Sequence, residues 1–408
     1  MTSATPSMRC EHNTLFHCQP RVLIHPTSSH RFRVPKMPGK VLSPYKQVPE
    51  TKADLDWAEL VTLDLSLFDQ PNGKQQLADQ LAYAAQHVGF FYVKNFDISQ
   101  EEVDRQFALG REFYNLPLEE KLQYHNLKDL ESGEYNGYRP AGLRQLTETI
   151  RDNVEVYNIP KFDGFHHRAQ PPVLQDHIKE IEMFSRKCHD LVITKLLKLF
   201  AILLELPSED QLVDLHKYDT KGEDHLRYMH YKARTPEENK LVGELYSPGH
   251  TDLGSLTLLF RQPVAALQIL NSKNEWKWVR PQDATITVNI CDALSALTGN
   301  WLKSSVHRVH APPEDQAHVD RLGVLYFSRP NNHVLLDPIS NSPVLEKLGI
   351  KDNEFTKLGQ HLTMEEWCKL RQTQQQRRTK APKIEGTKYT YENGELEVMK
   401  GYSAKVYN

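Results

Sequence analysis

A chain of 408 residues with 39% hydrophobic content is long enough to bury one large or two modest cores. Its formal net charge of −3, with no sustained basic block, removes the electrostatic case for nucleic acid or an anionic membrane and leaves a small molecule as the expected partner. Five cysteines without any Cys-x-x-Cys spacing argue against a disulfide framework or a thiolate zinc site and suit a reducing compartment, while the most apolar run, residues 196–206, is broken by Lys198 and Glu205 and is too short to span a membrane.

The first 54 residues are rich in Ser, Thr, Pro and His, with basic residues far outnumbering Glu11 before position 50. Two readings of that stretch stand: a disordered tail on a cytoplasmic protein, which is the preferred one, and a mitochondrial transit peptide. Order is expected from residue 60. Residues 61–65 read as a short strand, and 75–86 place Leu77, Leu81, Ala84 and Ala85 on one helical stripe leading into an aromatic strand at 88–93. Ser99 with Glu102 forms a capping box that predicts a helix over 101–114, with Val103, Phe107 and Phe113 turned inward. Residues 136–142, NGYRPAG, read as a loop and 148–159 as extended chain. Residues 175–206 carry Ile178, Ile181, Phe184, Cys188, Leu191, Leu196, Leu199 and Leu203 near helical spacing, so one long helix is expected to back the rest.

The pattern changes at residue 225. Runs at 225–231, 255–260, 266–270, 276–279, 285–290, 306–310 and 321–328 are short, apolar and separated by turn residues, which reads as an all-β sandwich or jelly roll. The expected fold is therefore mainly β with flanking helices. Within it lies Gly249-His250-Thr251-Asp252, where His250 and Asp252, two apart, can turn a nitrogen and a carboxylate to the same side. A bare His-x-Asp is more often a solvated turn, but His307 in Ser304-Ser305-Val306-His307 follows enough strand to cross a sheet and return as a third ligand. Two histidines and one carboxylate with open positions suit non-haem Fe(II). The same spacing in His318-Val319-Asp320 has too little chain before His333 to do this. Arg321, opening an apolar strand, has the planar fork that clamps a carboxylate with two bonds. Farther on, Thr363 with Glu366 caps a last helix to about Leu370, residues 372–380 read as a solvated linker, and 389–398 as a hairpin turning at Asn393-Gly394.

His250-Thr251-Asp252, Leu256-Thr257-Leu258-Leu259, Val288-Asn289-Ile290-Cys291-Asp292, Ser304 to Val309 and Arg321 resemble, in order and spacing, the isopenicillin N synthase-like branch of the Fe(II)/2-oxoglutarate-dependent dioxygenases. Gly89 to Asn95 and Phe113 to Lys121 extend the resemblance, which covers residues 58–340 with a weaker tail to 372. It implies a double-stranded β-helix (jelly-roll, cupin-like) core with an N-terminal α/β region. The corresponding divisions are a tail at 1–54, an N-terminal region with the backing helix at 55–205, the catalytic core at 206–345, and a C-terminal helix and extension at 346–408. The resemblance further implies that His250, Asp252 and His307 hold Fe(II), that 2-oxoglutarate and O2 take the open positions, and that ascorbate supports turnover. Oxidative decarboxylation of 2-oxoglutarate to succinate and CO2 would drive hydroxylation, desaturation or ring closure of a small molecule, in keeping with secondary metabolism. Arg321 would anchor the distal carboxylate of 2-oxoglutarate with Tyr231 beside it, Tyr138 and Arg139 would face the substrate, and Leu325 and Phe327 would line the apolar wall.

Three positions depart from the family pattern. Arg321-Leu322-Gly323 stands for Arg-x-Ser, Asn95-Phe96-Asp97 for Asn-His-Gly, and Cys291 for a common glycine before Asp292. Two other classes remain open beside the oxygenase: an Fe(II) oxidase of the same fold that needs no 2-oxoglutarate, against which Arg321 speaks and for which Gly323 speaks weakly, and a non-catalytic β-helix binding protein, against which the intact triad speaks.

Overall fold

A computed structural model of the chain describes residues 42–125, 136–380, 394–399 and 402–406. Its larger sheet has eight strands in the order β1 (Thr62–Asp64), β2 (Phe90–Lys94), β10 (Thr285–Ile290), β7 (Leu256–Phe260), β12 (Arg321–Ser328), β5 (His225–Tyr231), β4 (Val154–Pro160) and β3 (Gly137–Arg139). Only β1 and β2 run parallel; the other neighbours are antiparallel. A second sheet orders β6 (Leu245–His250), β11 (His307–His310), β8 (Leu267–Leu270) and β9 (Trp276–Trp278), all antiparallel.

Successive side chains on a strand point to opposite faces, so each strand of the larger sheet serves two environments. One face turns Phe91, Val93, Val288, Leu258, Tyr326 and Tyr228 into a core shared with helices α1 (Gly73–Tyr83) and α2 (Gln100–Tyr114) and with the helical run ending at Leu203. Each such large apolar side chain contributes about 1.5–3 kcal/mol by leaving water. The opposite face meets the second sheet. There Phe90, Tyr92 and Leu259 pack on Leu267, Ile269 and Val279, while Val154, Val156 and Tyr231 pack on Tyr246, Ala266 and Val309. Two sheets closed over an interior between two apolar clusters make the expected double-stranded β-helix.

The α2 cap is the one the sequence predicts: Glu102 N–H donates to Ser99 Oγ at 3.2 Å and Ser99 N–H to Glu102 Oε2 at 3.0 Å. The long helix predicted over 175–206 is segmented into Pro172–Gln175, Ile178–Lys187, a π-helical turn Cys188–Ile193 and Thr194–Leu203. That turn adds a residue to the helical repeat and keeps Cys188, Val192 and Ile193 buried.

Several expectations are corrected. Residues 42–54, assigned to the tail, lie against the folded body: Tyr45 stacks on Phe107 with centroids 4.8 Å apart, Arg261 bonds Gln47 and Glu50, and Lys52 N–H donates to Asp315 at 2.8 Å. These anchors are scattered singly among prolines, so they leave no periodicity to read. The readings of residues 1–41 lie outside the described residues. Residues 137–139, taken as loop, form β3, and β6 was missed because Pro248 and Gly249 mask it; Pro is tolerated there because β6 is an edge strand. Residues 372–380, taken as linker, continue the helix Met364–Lys380. Gln, Arg and Lys are good helix formers but show no apolar stripe. The C-terminal hairpin pairs β13 (Gly394–Met399) with β14 (Tyr402–Val406), so Gly394 opens a strand instead of turning one, and Asn393 lies outside the described residues.

Candidate active site

His250 ends β6 and His307 opens β11, and the antiparallel register places them directly opposite each other. Their ring centroids are 4.4 Å apart. Asp252 lies in the turn beyond β6, with Oδ1 3.9 Å from Nε2 of His250 and 3.9 Å from Nε2 of His307. One ligand atom from each of the three lies within 4.8 Å of the others, and among the described residues no other group of three His, Cys, Asp or Glu side chains converges in this way. Each imidazole is oriented by its own chain: His250 Nδ1 is 3.0 Å from the Pro248 carbonyl and His307 Nδ1 is 3.2 Å from that of Ser305. A carbonyl only accepts, so Nδ1 carries the proton and the Nε2 lone pair faces the cluster.

The second oxygen of Asp252 is also held. Oδ2 accepts from Thr257 Oγ1 at 2.8 Å and from Asn289 Nδ2 at 3.1 Å, both on the inner face of the larger sheet. Burial alone would raise this carboxyl, but the coulombic pull of His307 and His250 in their charged forms and these hydrogen bonds outweigh it and hold it below the usual carboxylate value. Two glycines let the loops close in. A Cβ on Gly254 would sit 2.4 Å from the Ser328 carbonyl, and one on Gly89, whose φ is +76°, would sit 2.5 Å from that of Lys303. Cys291 is buried 3.4 Å from Thr257 Oγ1, and burial pushes its thiol well above its ordinary value, so it remains protonated.

Arg321 and Tyr231 pair across β12 and β5 at the far end of the same inner face, with the guanidinium 5.8 Å from the Tyr231 ring. Arg321 is buried, its Nε has no hydrogen-bond partner, and among the described residues no carboxylate lies within ion-pair distance of it. Burial lowers its pKa, with Tyr231 and Tyr45 opposing the shift. Tyr45, a residue the sequence reading placed in a disordered tail, packs on Phe107 of the helix-side core and is still close enough to Arg321 to favour its charged form. Leu325 and Phe327 share the face of Arg321, and Phe327 lies opposite Thr257 in strand register. The Phe327 ring stacks on His225 at 4.6 Å and under the Arg227 guanidinium at 4.4 Å, and Arg227 Nε donates to Asn158 Oδ1 at 2.8 Å. Arg227 was missed, although its parity with Tyr231 on one strand places it on the inner face.

The two β3 candidates separate. Arg139 pairs with Val156 on the inner face and donates Nη2 to Asp152 at 2.8 Å. Tyr138, expected to face substrate, points to the helix side instead, packing edge-on against Phe113 and donating its hydroxyl to Glu155 at 2.6 Å. The correction follows from strand alternation, because neighbours in β3 cannot share a face.

Two family models match: the N-terminal model described for a non-haem dioxygenase in morphine synthesis over residues 60–177, and the 2OG-Fe(II) oxygenase superfamily over residues 222–330. The chain is 31% identical over 307 residues to the UPF0676 protein of Schizosaccharomyces pombe, covering 74% of this chain and 90% of that one. It is 28% identical over 275 residues to the 2-oxoglutarate-dependent dioxygenase gloF of Glarea lozoyensis, covering 61% of this chain and 80% of the relative. In fold it is similar to a full-length Neurospora crassa protein solved in complex with alpha-KG, with a TM-score of 0.67 at 23% identity over 81% of this chain and 100% of that one. The chain belongs to the 2-oxoglutarate- and Fe(II)-dependent oxygenase superfamily. It is accordingly an oxidoreductase of the 2-oxoglutarate-dependent dioxygenase class, using Fe(II), 2-oxoglutarate and O2. Among the described residues no helix is long and apolar enough to cross a membrane.

Proposed function

We propose that His250, Asp252 and His307 hold the iron, that Arg321 with Tyr231 receives the distal carboxylate of 2-oxoglutarate, and that the enzyme oxidises a small organic molecule held against Phe327 and Leu325. The observation that carries this reading is the convergence of one ligand atom each from His250, Asp252 and His307 within 4.8 Å, against an inner sheet face that also carries a buried guanidinium with no carboxylate partner among the described residues. Iron supplies the activation of O2 that couples decarboxylation of 2-oxoglutarate to oxidation of a C–H bond. The chain supplies the rest. Pro248 and Ser305 carbonyls fix the imidazole tautomers, and Thr257 and Asn289 keep one Asp252 oxygen occupied so that the other is presented. The Arg321 fork offers two parallel bonds from a buried position, where charge-assisted bonds are strengthened. Phe327, one strand from Thr257, provides an apolar wall within a side chain's reach of the metal cluster. Hydroxylation, desaturation and ring closure all fit this arrangement.

Purified protein given Fe(II), 2-oxoglutarate and O2 is expected to release succinate and CO2, slowly without substrate and faster with it, and His307→Ala is expected to fall to background. Oxygen uptake with substrate while 2-oxoglutarate stays untouched would replace this reading with an oxidase that draws all its electrons from substrate.

A further inference from the structure

We propose that Asp292 and Arg371 form a positioning pair that holds the two ligand-bearing loops in register, making the C-terminal helix part of the framework of the iron site. The inference rests on the reading of His250, Asp252 and His307 as ligands. Those ligands come from two separate pieces of chain. Sheet pairing joins the pieces at His250 and His307, but Asp252 lies past the end of β6, where the ladder no longer fixes it.

Asp292, at the start of the short helix Asp292–Ala296, bridges the gap. Its Oδ2 accepts from Thr251 Oγ1 at 3.0 Å, its Oδ1 accepts from Ser304 Oγ at 2.7 Å, and its own N–H donates to the Asp252 carbonyl at 2.9 Å. One carboxylate thus takes a hydrogen bond from each loop. Its charge is met by Arg371, which donates Nη1 to Oδ2 at 2.6 Å; both side chains are mostly buried. The helix Met364–Lys380 that carries Arg371 makes a second contact, because Trp367 Nε1 donates to the carbonyl of Leu253, the neighbour of Asp252, at 3.3 Å. Arg371 in turn lies over the Trp367 ring at 5.0 Å. Removing Arg371 would leave Asp292 as an uncompensated, mostly buried charge that draws in water and releases the two hydroxyls. The ligands would then loosen while the barrel persists.

The test compares wild type with Arg371→Met, Arg371→Lys and Lys369→Met, the last on the same helix with an exposed partner, Glu365. Anaerobic Fe(II) titration gives the dissociation constant, and hydrogen exchange of amides 249–254 and 303–306 in metal-free protein reads the loops directly. The expected result is a Kd raised about tenfold or more in Arg371→Met, less in Arg371→Lys and not at all in Lys369→Met. Faster exchange in both loops of metal-free Arg371→Met should accompany it. Unchanged Kd and exchange in folded Arg371→Met, or in Arg371→Lys where the former does not fold, overturns the pair's role while leaving the site reading intact. Equal weakening in Lys369→Met also overturns it, by assigning the effect to helix stability. Failure of wild type to bind Fe(II), or equal binding by His307→Ala, removes the site reading and this inference together.

Discussion

The two faces of the eight-stranded sheet are made by the same strands yet differ in kind. On the helix side, Phe91, Val288, Leu258, Tyr326 and Tyr228 form a continuous apolar layer. On the barrel side, Thr257, Asn289, Arg227 and Arg321 are set among apolar residues of the same strands. β12 shows the contrast within one strand: Val324 and Tyr326 face the helices, whereas Arg321, Gly323, Leu325 and Phe327 face the interior. Burying a guanidinium without a partner is costly, and a fold retains such a residue where a ligand completes it. The helix face therefore carries stability and the inner face carries chemistry, and substitutions should separate the two.

The largest separation is expected at Leu258, fully buried on the helix side. Leu258→Ala should cost about 2–5 kcal/mol in denaturant unfolding, with an unchanged KM for 2-oxoglutarate in steady-state assays; a raised KM would break the division.

A polar contact at the end of the same strand gives the next effect, and it depends on pH. His216 is buried, with Nε2 2.7 Å from Ser255 Oγ and Nδ1 2.7 Å from the Leu212 carbonyl, and burial pulls its pKa down to about 4. The unfolded chain takes up this proton first as pH falls, so the contribution is intact above about 6.5 and is lost on the way to 4. On the order of 3 kcal/mol of stability should disappear across that window, and His216→Gln should flatten the slope of unfolding free energy against pH there. An equal slope in both proteins would assign the acid sensitivity elsewhere.

Arg321→Met tests the inner face and should act with opposite signs on its two readouts. The KM for 2-oxoglutarate should rise about 10- to 100-fold, the value of a charge-assisted bond pair at about 1.5–3 kcal/mol. The melting temperature without 2-oxoglutarate should hold or rise, because an uncompensated buried charge is gone. A lowered melting temperature with KM intact would make Arg321 structural.

Gly323→Ser is the smallest change. The new Cβ would sit 3.3 Å from Leu325 Cδ1 and 3.6 Å from Met229 Cβ, so it fits after a slight shift, and it restores the hydroxyl of the family's Arg-x-Ser. The KM for 2-oxoglutarate should fall a few-fold, about one neutral hydrogen bond of 0.5–1.5 kcal/mol. No change would place that hydroxyl outside the carboxylate's reach.

The sequence by itself determined what local spacing encodes. The capping boxes at Ser99 and Thr363, the strands after residue 225 other than β6, His250 with Asp252, and Arg321 at a strand start are each legible because the groups involved lie within a few residues of one another. The strands between Asp252 and His307 let His307 be read as a third ligand, and ordered resemblance added Tyr231. Tertiary structure alone decided the rest. Tyr138 and Arg139 part company because one step along β3 reverses the face, and Tyr45 reaches the neighbourhood of Arg321 from a stretch with no periodic signal. Asp292 meets Arg371 across 79 positions of chain. Propensity and patterning act over a turn of helix or a pair of strand residues, whereas a buried charge finds its counterpart only once the whole chain has closed around it.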